Sequence, residues 1–164
     1  MENLFMFLAT SLMLRIASPK FKRYLIGQSG CTSLLLSGGN QLHIKHTKEG
    51  DVIYFNDSYI ESVTFGMICV RMKQVYSLHQ AETILVQYIN RVRKPLSIAY
   101  TLSMEVEKGD GQITITDYWQ DSEGTDWKIR GYTNGKAVAV LYVKNVTEAP
   151  VKEHDTFLNG FRFS

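Results

Sequence analysis

The residues best able to do chemistry stand in one stretch, "ITITDYWQDSEGTDWKIRGYTNG", Ile113 to Gly135, where Asp117, Asp121, Glu123 and Asp126 place four carboxylates within ten residues. Trp119 and Trp127 flank the densest part. Clustered carboxylates can hold a cation or work as an acid–base pair, and both uses need side chains that converge on one side of the backbone. Register decides which of the four can converge. "DSEG" reads as a type I turn, with Asp121 capping backbone amides and Gly124 in the left-handed position of a three-residue hairpin loop. That loop sets Trp119 opposite Trp127, a cross-strand aromatic pair, and Tyr118 opposite Lys128. Asp121 and Glu123 then belong to the turn, and Asp126 starts the return strand. A calcium loop needs a closing bidentate Glu, but Tyr132 stands at the twelfth position of "DSEGTDWKIRGY". Only Asp117 shares the apolar face of Ile113, Ile115, Trp119, Trp127 and Ile129. Such a carboxylate is either paired structure, with Arg130 across the hairpin as a partner within reach, or the edge of a pocket.

The remaining motifs assign no catalytic residue, no metal and no cofactor. His43 and His46 are three apart in a strand and point to opposite faces, while His79 and His154 fall in separate helical patterns. Cys31 and Cys69 belong to no zinc spacing; a single disulfide between them is open, and Cys69 within "TFGMICVRM" reads as a small buried hydrophobe. "GQSG", Gly27 to Gly30, starts like a nucleophile elbow, but Cys31 stands where the last Gly belongs. No G-x-G-x-x-G or P-loop pattern occurs. "NDS" at Asn56 and "NVT" at Asn145 are glycosylation sequons. The net charge of +2 comes from 18 basic and 16 acidic residues mixed along the chain, which leaves no phosphate-binding stripe, so nucleic acid is not an expected partner. The short basic run "PKFKRY", Pro19 to Tyr24, reads as a solvated edge or linker.

The elements that must position these residues fit one domain. With 164 residues, average hydrophobic content and 12% aromatics, the chain can bury a full core and leans toward sheet. The Gly/Ser-rich "GQSGCTSLLLSGGNQ" reads as loop with room for one short strand at Ser33 to Leu36. "LHIKH" and "VIYFND" flank a turn at Gly50 and make a hairpin from Leu42 to Asp57. Ser62 to Met72 is a strand buried on both faces. "SLHQAETILVQYINRVRKP" is a helix with a capping box of Ser77 and Gln80, a stripe of Leu78, Ala81, Leu85, Tyr88 and Val92, and a stop at Pro95. An antiparallel meander of four strands follows: Leu96 to Glu105, Gln112 to Gln120, Asp126 to Tyr132, and Ala137 to Lys144. Asn134-Gly135 predicts a type I′ turn, and "AVAVLYVKN" predicts a central strand covered on both sides. The end reads as a short helix with Pro150 in its first turn and Phe157 and Phe161 on one face.

Residues 1–18 form an apolar N-terminal segment ahead of a single α+β domain at 19–164. "LFMFLATSLML", Leu4 to Leu14, has the length of a signal-peptide core and is too short to span a membrane; a signal or anchor and a docked helix both fit, and length alone does not separate them. Secreted or periplasmic and cytoplasmic locations stay equally open, and membrane contact is expected only if residues 4–14 are an anchor.

From Leu42 onward, the strands, the "SLHQAETILVQYINRV" helix, the meander, "GKAVAVLYVKNV" and the closing "FLNGFRF" resemble the PsbP-like superfamily, which includes photosystem extrinsic proteins, a Ran-binding nuclear import factor and bacterial lipoproteins. In that superfamily the last helix typically ends in a pattern of the form "f..SF.f"; here Gly160 stands in place of the Ser. The resemblance implies a central antiparallel sheet flanked by helices, an α/β/α sandwich, in a protein that acts by binding partners without catalysis. It carries over no functional residue. Two functions of different class follow. The first is a non-enzymatic binding or accessory protein that meets a protein partner or small ligand through its sheet and its aromatic hairpin, with Asp117, Tyr118, Trp119, Trp127 and Tyr132 as candidate contacts. The second is a small-molecule enzyme or ligand carrier with a pocket between helix and sheet near Asp117.

Overall fold

The structure, a computed structural model, describes residues 20–36, 42–101 and 104–164. The apolar segment Leu4 to Leu14 therefore lies outside the described residues.

A large antiparallel sheet dominates the molecule. Its strands are β3 (His43–His46), β4 (Val52–Ile60), β5 (Val63–Arg71), β6 (Ile98–Thr101), β7 (Glu105–Gly109), β8 (Gln112–Asp121), β9 (Asp126–Thr133) and β10 (Ala137–Lys144), in the order β3-β4-β5-β10-β9-β8-β6, with β7 also pairing β8. A small sheet joins β1 (Phe21–Leu25), β2 (Cys31–Leu36) and β11 (Arg162–Phe163). Among the described residues, two α-helices, α1 (Leu78–Arg93) and α2 (Val151–Leu158), accompany the sheets in an α+β fold, with a 3-10 turn at Val146–Glu148 between β10 and α2. Among the described residues no helix is long and apolar enough to cross a membrane.

Strand alternation divides the buried residues into two cores. On one face Val70, Ile113, Ile115, Trp119, Trp127, Ile129, Val138 and Val140 meet Leu85, Tyr88 and Ile89 of α1. On the other, Phe65, Met67, Cys69, Ala139, Leu141 and Val143 meet Leu35 and Leu36 of β2 and Phe157 and Leu158 of α2. The central strands β5 and β10 thus lose polar alternation because both their faces are covered. Helix α1 forms as its sequence predicts: the Ser77 hydroxyl accepts from the Gln80 amide while the Gln80 side chain accepts from the Ser77 amide, and Ala81, Leu85, Tyr88 and Ile89 are buried. Leu78, at the start of that stripe, is 37% exposed, because the first turn runs past the sheet.

Four local expectations are corrected. The Gly/Ser-rich stretch carries a longer strand than the one expected at Ser33 to Leu36: β2 runs from Cys31 and pairs with β1, the largely exposed edge strand that the basic run forms as expected, and Ile26, Cys31 and Leu35 are buried. The strand expected from Leu96 to Glu105 is two strands, β6 and β7, laid end to end along the same edge of β8. The two-residue turn with positive φ at both positions is Asp110-Gly111 between β7 and β8; at the predicted site only Gly135 has positive φ, and the Asn134 side chain instead accepts from the amides of Lys136 and Ala137. Phe161 follows α2 rather than extending it, yet it is buried in the same core as Phe157. Gly160, where the resemblance has Ser, presses on Leu34: a Cβ there would come within 2.8 Å of the Leu34 side chain. Its carbonyl accepts from Arg23 at 2.8 Å, which ties β1 to the chain end.

Candidate functional site

The hairpin of β8 and β9 forms in the expected register, Trp119 opposite Trp127 and Tyr118 opposite Lys128. The two indole rings lie 6.3 Å apart, centroid to centroid, and each is fixed by a carboxylate. The Trp127 indole N–H donates to Asp121 at 3.0 Å, and the Trp119 indole N–H donates to Asp117 at 2.7 Å. Asp121 also accepts from the amides of Glu123 and Thr125, each at 3.0 Å, so it closes the turn and holds a buried ring at once. Burial alone would raise its pKa, but the hydrogen bonds from Trp127, Thr125 and Glu123, with the charge of Lys144 nearby, outweigh that and hold the carboxyl below its ordinary value. Glu123 is exposed in the turn, and Asp126 accepts from Gln120 at 3.3 Å. The four carboxylates do not converge, and among the described residues no three His, Cys, Asp or Glu side chains are grouped as metal ligands.

Asp117 sits opposite Ile129 and is buried on the α1 face. Arg130 is not its partner. One residue along β9, it projects to the opposite face, where its guanidinium reaches Thr116 at 2.7 Å, the Tyr132 hydroxyl at 3.1 Å and Glu107 at 3.3 Å. Asp117 is satisfied locally instead, by the Trp119 indole and by the Tyr118 amide at 2.9 Å.

Asp117 is also the edge of a pocket. Among the described residues β6 pairs with β8 from Asp121 to Trp119 and β7 from Thr116 to Gln112, and Asp117 lies on β8 between the two pairings. A cleft of about 270 Å³ opens there between α1 and the sheet. Val86, Ile89 and Met104 give it apolar walls; Asn90, Arg93, Thr101 and Asp117 give it polar groups of both kinds. Residues 86, 89, 90 and 93 share one helical face, so α1 presents amide and guanidinium donors toward a carboxylate across the gap. Its volume lies just under the range usual for drug-sized ligands, which suits a smaller polar molecule.

The aromatic candidates stand differently from expectation. Trp119, Trp127 and Tyr132 are 2%, 6% and 6% exposed, because the first two complete the core under α1 and the third completes the opposite core against Phe161. The Tyr132 hydroxyl donates to the Leu158 carbonyl, and burial raises its pKa. Tyr118 is half-buried, with the Lys128 ammonium 5.4 Å from its ring centre. Lys128 in turn bonds Asp155 of α2 at 2.9 Å; burial opposes its charge, but that bond prevails and raises its pKa.

Exposed apolar side chains gather elsewhere, at the β3 and β4 end of the large sheet, which α1 leaves open. Phe55 and Tyr59 are 39% and 67% exposed on the α1 side, with the His43 ring stacked on Phe55 at 5.1 Å. Ile44, 58% exposed, projects from the other face of the same edge. Periodicity alone could not mark these residues, because they alternate as a half-covered strand should. Asn56, the first sequon, is buried on the opposite face of β4 from Phe55 and Tyr59, so the folded protein does not present it.

Together these features define a PsbP-like fold. The structure is similar to the solution structure of cyanobacterial PsbP (CyanoP) from Synechocystis sp. PCC 6803, with a TM-score of 0.54 and 14% identity over 90% of this chain and 94% of that one. The likeness reaches upstream of Leu42, where the sequence resemblance begins. No protein-family model and no curated protein matches the sequence.

Proposed function

We propose that this is a non-enzymatic binding or accessory protein that meets a protein partner at the β3 and β4 end of its large sheet. In this reading the chain is an α/β/α sandwich whose helical layer stops short of one sheet end. The observation that carries it is the exposed group of Phe55, Tyr59 and Ile44 on an edge hairpin, while Trp119, Trp127 and Tyr132 of the β8 and β9 hairpin are used up in the core. Clustered exposed aromatics mark interfaces more often than isolated ones do, and β3 is an edge strand with all four residues exposed, which an extended partner segment can extend by strand addition. A PsbP-like fold suits such a role.

A photo-reactive amino acid at position 59, introduced into the protein in its native source, tests this. The proposal expects a discrete protein adduct that a probe in the Asp110-Gly111 turn does not give. Equal labelling at both positions, or none, overturns it.

The cleft at Asp117 favours a second reading, a carrier or enzyme for a small polar ligand held between Arg93 and Asp117. It expects Asp117→Asn to abolish ligand binding or activity; a variant that loses stability and keeps both sinks it.

A further inference from the structure

Two thiols take no part in the cleft or the exposed sheet end. Cys31 opens β2 and Cys69 lies in β5, so they belong to different sheets, and both are free and buried, 2% and 0% exposed. Packing between the sheets brings them together. Tyr54, the strand partner of Cys69 on β4, accepts through its hydroxyl from the Gln28 amide at 3.2 Å, and its ring lies so close to Gly27 that a Cβ there would come within 2.2 Å. Arg71, two residues beyond Cys69, donates to the Gln28 carbonyl at 3.4 Å. The turn that leads into Cys31 is thus held from both sides of Cys69. Within it the Cys31 amide donates to the Ser29 hydroxyl at 3.1 Å and the Cys31 thiol to the Ser29 carbonyl at 3.8 Å, and Cys31 and Cys69 lie in the same buried core as Tyr54.

We propose that Cys31 and Cys69 are a redox-modification site, converted by a small disulfide oxidant of the glutathione type into an intramolecular disulfide that staples the β1 and β2 hairpin to the large sheet. One thiol, as thiolate, attacks the oxidant's disulfide and releases one reduced thiol; the second then attacks the mixed disulfide and releases the other. The protein loses two protons and two electrons and gains one S–S bond, and the oxidant takes up both to become two thiols. Because both sulfurs are buried, the folded protein oxidises only through local opening of the hairpin, and oxidation during refolding is faster.

The test uses the full chain, reduced and unfolded in urea, then refolded in a glutathione buffer and read by intact mass, peptide mapping without reductant and thermal melting. The expected product has lost two hydrogen atoms, joins the Cys31 and Cys69 peptides, and melts roughly 8–15 °C above the reduced protein, since the bond closes a loop of roughly 40 residues. Dithiothreitol reverses the shift, and Cys31→Ala abolishes it. Glutathione adducts on both cysteines, a disulfide between two molecules, or a linked product that melts no higher than the reduced one overturns the proposal.

Discussion

Replacing Asp121 tests the reading of the acidic stretch as hairpin architecture. Its carboxylate accepts from two turn amides and from the Trp127 indole, which is only 6% exposed. Asp121→Ala leaves that indole N–H buried without a partner, a loss of about 1–3 kcal/mol, and removes a turn cap worth about 1 kcal/mol, so a total near ~3 kcal/mol is expected. Asp121→Asn keeps one acceptor oxygen for either the amides or the indole and is expected to lose about 2 kcal/mol at pH 7. The pH dependence has a definite sign. The folded carboxyl has a lower pKa than the unfolded one, so its stabilisation is complete above the unfolded pKa and is lost as pH falls through the folded pKa. The gap between wild type and Asp121→Asn should therefore be widest at neutral pH and close below roughly pH 4. Urea unfolding followed by tryptophan emission measures it, with both tryptophans of the chain in this hairpin. A gap under about 0.5 kcal/mol at pH 7, or one that stays constant down to pH 3, refutes the assignment.

Three further outcomes follow from the packing. Asp117→Asn should cost about 1–2 kcal/mol in the same assay, because the Trp119 indole then faces a weaker, neutral acceptor. Gly66→Ala should cost about 2–3 kcal/mol by thermal melting: a Cβ there would come within 2.0 Å of the Tyr142 ring, which lies over Gly66 and bonds Asp57 through its hydroxyl. Ser77→Ala should cost about 1 kcal/mol and show as faster amide exchange in the first turn of α1, since it removes the side chain that accepts from the Gln80 amide.

Local chemistry wrote the best-read parts of the fold. The capping box at Ser77 and the Asp121 turn with Gly124 each depend on residues within a few positions, so the helix start and the hairpin register could be read directly. From register, in turn, followed the face on which Asp117 lies. What stayed hidden depends on contacts between distant segments. The pairing of β2 with β11 makes strand of a Gly/Ser-rich stretch, and the packing of α1 over the sheet makes Asp117 the wall of a cleft. Arg130 was the natural partner by proximity in sequence, but alternation along β9 sends it to the other face. Large rings on the covered face of a central hairpin are core, and the exposed aromatics, Phe55 and Tyr59 of β4 and Tyr100 of β6, stand toward the two ends of the sheet.

The most direct test of the proposed role is a side-by-side affinity measurement, by calorimetry or surface plasmon resonance, on the partner captured from position 59. The proteins compared are wild type, the double variant Phe55→Ser/Tyr59→Ser, and the cleft double variant Arg93→Gln/Asp117→Asn. If the sheet end is the contact surface, the first double variant binds at least roughly tenfold more weakly and the cleft variant binds as wild type does. Unchanged binding by Phe55→Ser/Tyr59→Ser, with binding lost in Arg93→Gln/Asp117→Asn, contradicts the proposal and moves the function to the cleft.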